Sequence, residues 1–167
     1  MASDLTSGFL TLAGTVVGGL ITFGGTYRTA SVQRRQVEQA RREQIADARR
    51  QTQVSFLTKL DTFLDHAREL VLAMDGNDDG APLRDLHKRY ADEWLDFIST
   101  NAAVQIAGPK LVAERADALT KAVGTYSDAI DDRYLRGKWG RGREDAWDSV
   151  ARARNAFLAA TQDDYEV

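Results

Sequence analysis

The residues of this chain best suited to chemistry fall in two loops. The first, Asp75-Gly76-Asn77-Asp78-Asp79-Gly80, opens like the D-x-N-x-D-G of a calcium loop, whose oxygens at positions 1, 3 and 5 ligate before a glycine turn. The pattern then breaks, because Leu86 stands where position 12 needs a bidentate glutamate and Pro82 interrupts the run between them. A polar turn between helices is expected there, and no metal. The second loop, 133–143, sets Arg133, Arg136, Lys138, Arg141 and Arg143 among glycines around Trp139. Such a cationic, flexible surface can grip an acidic protein, hold phosphates or stack on bases. One short loop is a small electrostatic footprint for nucleic acid, so a protein partner is expected over nucleic acid. Against any contact role, Asp131, Asp132, Glu144 and Asp145 could simply neutralise the loop.

The remaining reactive residues do not assemble into a site on paper. His66 and His87 each lack a second ligand at i+3 or i+4, and Asp92, Glu93 and Asp96 lack the Glu-x-x-His partner of a di-iron bundle. Nothing pairs a nucleophile with an adjacent base, and no phosphate loop occurs. The absence of cysteine removes disulfides and thiolate chemistry. These observations predict a non-enzymatic chain with no cofactor and no catalytic residue. At 167 residues and net charge −3, there is room for one domain and an appendage, with no bulk positive charge to draw nucleic acid.

The elements that must carry these loops are helical. From residue 54, Phe56, Leu57, Leu60, Phe63, Leu64, Ala67, Leu70, Val71 and Met74 recur at three and four, marking one broad apolar stripe. A second stripe starts near Pro82 with Leu83, Leu86, Tyr90, Trp94, Phe97 and Ile98. A third follows Gly108-Pro109 with Val112, Ala116, Leu119, Val123, Tyr126 and Ile130. A fourth, from about Glu144, carries Trp147, Val150, Ala153, Phe157 and Leu158. Four stripes joined by short loops predict an antiparallel, up-down-up-down four-helix bundle over 54–167. Trp94, Tyr126, Trp147 and Phe157 are read as core.

Before the bundle, residues 28–53 are strong helix formers without Gly or Pro, which predicts a polar helical stalk. Its apolar positions are too sparse for a firm heptad seam. Residues 1–27 are different in kind, since no charge occurs across 5–27. As helix that stretch is about 34 Å long, enough for a hydrocarbon core of about 30 Å. A cleaved signal would want a basic start, whereas Asp4 stands there, so an uncleaved transmembrane anchor is expected. Arg28, Arg34 and Arg35 follow the span and none precedes it, which places the N-terminus outside and the C-terminal part in the cytoplasm. The same arginines are placed to meet anionic lipid headgroups. Within the span, Gly14 and Gly18 form a G-x-x-x-G pair whose face Thr11 and Gly25 continue, which predicts self-association into a homo-oligomer.

This layout, a Gly/Thr-rich span running into a Gln/Arg-rich helix, together with VQIAGPKLVAERADAL at 104–119, resembles uncharacterised small membrane proteins of actinobacteria. The resemblance implies one N-terminal span and a cytoplasmic helical region, and it implies no activity. A membrane-tethered interaction or scaffold protein is the function expected. The alternative is an oligomeric pore or lysis-type effector built on the glycine face, which the lack of an ionisable residue within 5–27 argues against.

Overall fold

The computed structural model describes the backbone of residues 3–76, 80–139 and 142–163, and side chains within these from residue 33 to residue 162. Four α-helices form: α1 (Ser3–Asp75), α2 (Ala81–Ala107), α3 (Lys110–Arg136) and α4 (Arg143–Asp163). Two compact units divide the chain, Met1–Ala46 and Asp47–Val167. In the first, the described side chains of 33–46 are solvated, Val37 and Ile45 among them, and Gln39 Nε2 donates to Glu43 Oε1 at 3.1 Å. The span expected at 5–27 falls where the backbone is helical and the side chains lie outside the described residues. Among the described residues no helix is long and apolar enough to cross a membrane.

The second unit is a four-helix bundle whose register can be read from pairs of side chains. Lys59 meets Asp96 and Arg49 meets Ala107; His87 meets Asp131 and Gln105 meets Ala113; Phe56 meets Phe157 and Asp61 meets Arg154. In each set one residue number rises as the other falls, so α2 runs antiparallel to α1, α3 to α2, and α4 to α1. The up-down-up-down order follows. The bundle begins earlier than its stripe suggests: Gln53 is buried, and Arg49 Nε donates to the Ala107 carbonyl at 3.0 Å, satisfying an acceptor that the end of α2 leaves without a helical partner.

Local chemistry sets the helix ends. Pro82 occupies the first turn of α2, where a missing N–H costs nothing, and Pro109 is the N-cap of α3. Gly137 ends α3 in the left-handed region at φ 69°, its N–H bonded to the Arg133 carbonyl at 2.9 Å. Glu144 and Asp145 sit in the first turn of α4, where the helix dipole favours negative charge.

Aromatic rings fill the centre. Phe56 lies 5.1 Å from both Phe97 and Phe157, and Phe63 lies 5.2 Å from Tyr90 and 5.4 Å from Trp94, centroid to centroid. Leu60, Leu70, Leu119, Val123 and Ile130 complete the packing. One of the four aromatics read as core departs from it. Trp94 is half-buried and packs on the core rings over the Gly124 backbone, whereas Trp147 is 46% exposed. The reason for Trp147 is angular: α4 aims Ala146, Val150, Phe157 and Ala160 inward, and the neighbour of Ala146 is turned about 100° away from that line.

One buried polar pair ties α2 to α3. Tyr90 Oη lies 2.5 Å from Ser127 Oγ, and burial, ahead of any other influence, pushes the Tyr90 phenol well above its ordinary value of 10. Burial raises the Tyr126 phenol as well. A phenol whose folded pKa exceeds its unfolded one contributes stability that is complete below about pH 10 and declines as the pH climbs from there toward the folded value. Urea unfolding followed by circular dichroism is therefore expected to weaken above pH 10, and Tyr90→Phe is expected to make that alkaline decline shallower. An equal slope in both proteins would refute the assignment.

Candidate functional site

Helices α3 and α4 approach each other closely, whereas α1 and α4 do not. The seam between α1 and α4 is pinned at two places. Asp61 accepts from Arg154 at 3.1 Å, and Asp75 lies 4.0 Å from Arg143. Between the pins the seam opens into a groove of about 940 Å³ that follows α1 from Asp61 to Asp75, about 21 Å of helix. Leu64, Val71, Leu72, Tyr126 and Trp147 give it an apolar lining. Leu72 is 62% exposed, and the Trp147 ring sits 5.3 Å from that of Tyr126. Asp65, Glu144 and Asp148 stand on the walls without an ion pair among the described residues; Arg68 is the basic residue of the α1 wall.

The cationic loop closes the Asp75 end of this groove. Trp139 is half-buried, not exposed as its surroundings in sequence suggest. Its indole N–H donates to Asp75 Oδ1 at 3.2 Å, and the Arg143 guanidinium lies over its ring at 4.2 Å, with that of Arg133 at 5.8 Å. Arg133 also donates to the Gly137 carbonyl and, at 3.2 Å, to the Met74 carbonyl in the last turn of α1. Three of the expected contact residues, Arg133, Trp139 and Arg143, are thus engaged within the chain. Arg136 is exposed beside Asp132 at 3.4 Å, Lys138 is exposed, and Arg141 lies outside the described residues. Replacing Trp139 with Ala removes one hydrogen bond and two cation–π contacts, for an expected loss of about 1–2 kcal/mol, readable as a lower urea midpoint. An unchanged midpoint would mean the clip is cosmetic.

The other residues singled out in the sequence are dispersed. The surroundings of Thr11, Gly14, Gly18, Gly25 and Arg28 lie outside what is described, while Arg34 and Arg35 are exposed. Asn77, Asp78 and Asp79 of the calcium-like loop also lie outside the described residues. Glu93 and Asp96 converge on Lys59, at 3.7 and 2.7 Å, and the hydrogen bond to Asp96, before any other influence, raises the Lys59 pKa. His66 Nδ1 lies 3.1 Å from the Thr62 carbonyl; His87 stacks on Tyr134 at 3.9 Å and pairs with Asp131 at 3.1 Å. Among the described residues no three His, Cys, Asp or Glu side chains are grouped to hold a metal ion. Comparison with protein-family models, with curated proteins and with solved structures finds no match to this chain.

The groove has no stripe of its own in the sequence. The signal available was the face Asp61, Asp65, Arg68, Leu72 and Asp75, a polar line interrupted by one leucine beside the main stripe, with Trp147 and Asp148 flanking the corresponding stripe on α4.

Proposed function

We propose that this protein is a non-enzymatic interaction module, tethered at the cytoplasmic face of a membrane by its N-terminal span, that engages a partner through the α1–α4 groove. The observation that carries the interaction reading is the groove: an apolar trough with Leu72 and Trp147 exposed, on a bundle whose centre is otherwise filled. The loop 133–143 acts in this reading as the strap that fixes the groove's end, through Arg133, Trp139 and Arg143. Support for the tether comes from the sequence alone, from the uncharged run 5–27 and the arginines that follow it. Self-association through Thr11, Gly14, Gly18 and Gly25 would present several grooves together and raise avidity.

Fractionation of expressing cells with a carbonate wash tests the tether. The full chain is expected to stay in the pellet and to be released by detergent, and crosslinking there should yield a ladder that Gly14→Leu/Gly18→Leu reduces. Recovery in the high-speed supernatant without detergent would remove the membrane from the account.

A further inference from the structure

We infer that the α1–α4 groove takes an amphipathic helix of net positive charge from a partner protein, its apolar stripe lying on Leu64, Leu72 and Trp147 and its Lys or Arg side chains facing Asp65, Glu144 and Asp148. The inference deepens the interaction-module reading and rests on it.

Shape supplies the first argument. The open stretch between the Asp61–Arg154 and Asp75–Arg143 pins is about 21 Å, four turns of helix, and an apolar trough between two helices is how bundles receive a further one. Charge supplies the second. Asp61 is neutralised by Arg154, and Asp75 by Arg143 and the Trp139 N–H. Asp65, Glu144 and Asp148 are left with no ion pair among the described residues, and of the two basic residues lining the trough, Arg143 is held by Asp75 and only Arg68 remains to offset them. A positive helix satisfies these carboxylates and is steered to them, whereas an anionic headgroup is repelled. The same excess argues against a second copy packed groove to groove, since that would set acidic wall against acidic wall.

The test uses the full chain in non-ionic detergent and a fluorescent 14-residue Leu/Lys peptide patterned as an amphipathic helix, followed by anisotropy against protein-free micelles. Saturable binding is expected, weakening as salt rises. Asp65→Lys/Asp148→Lys should weaken it at least ~10-fold while leaving the circular dichroism melt in place, because both side chains are exposed and without an ion pair among the described residues. Leu72→Glu should weaken it by a similar factor. Three results would overturn the inference: equal binding to the charge-reversed protein, equal binding of a Leu/Glu peptide, or equal binding of a scrambled peptide of the same composition. The carbonate wash reports on the tether whatever the peptide does, so failure of the groove and failure of the tether are told apart.

Discussion

Phe56→Ala is expected to cost about 3–5 kcal/mol, the range for deleting a buried aromatic side chain from a core that cannot fully collapse around the gap. Phe56 is fully buried and touches rings from two other helices, Phe97 on α2 and Phe157 on α4, at 5.1 Å each. Its removal strips the edge packing of both rings and leaves a void where three helices meet. Total stability for a bundle of this size is of the order of 5–15 kcal/mol, so the loss is a large share of the whole. Urea unfolding of the full chain in detergent, read by circular dichroism, should show a midpoint falling by about a fifth or more at unchanged slope. A fall of less than 1 kcal/mol would mean that the two rings close the gap and that the centre is looser than it is drawn here. Phe56→Leu, which retains most of the volume, should recover more than half of the loss.

Ala146→Leu tests the opposite fault, overfilling. The Tyr126–Trp147 contact joins α3 and α4 beside Ser127 and Ala146, and Ala146, Ser127, Ala113 and Ala160 are all buried on these two helices. Small residues at both ends of the seam allow the two backbones to approach as closely as they do. A leucine at 146 is expected to push α4 outward at a cost of about 1–3 kcal/mol, and to disturb the hydrogen bond that Ser127 makes with Tyr90. Combined with Tyr90→Phe, its effect should therefore be less than additive. Strict additivity would show that the two seams do not communicate.

The clip at the distal end and the groove beside it share residues. Arg143 lines the groove, pairs with Asp75 and covers Trp139, so loosening the loop should also alter the groove's mouth. The basic loop looks like a ligand grip when its residues are counted along the chain. Its folded partners lie far away in sequence, at Met74 and Asp75, and no local pattern announces that a tryptophan so surrounded by charge will donate to an aspartate on another helix. The early start of the bundle at Arg49 has the same origin, a guanidinium reaching a helix end more than fifty positions later in the chain.

By itself the sequence determined the four apolar stripes and the starts of α2 and α3 at Pro82 and Pro109, because those are local matters, whereas α3 runs on to Arg136 through the first residues of the loop expected from 133. A proline in a first turn, a glycine at a C-cap, and apolar residues at three and four each act within a few positions. It also determined most of the buried set, from Phe56 through Phe157, since a stripe on a helix has to be covered. Tertiary structure alone decided which seam stays tight and which stays open. That depends on the buried side chains between α3 and α4 and on the two ion pairs that bridge α1 and α4, and the spacing between helices is set by residues distant in the chain. The engagement of Trp139 with Asp75, at the end of α1, is equally non-local.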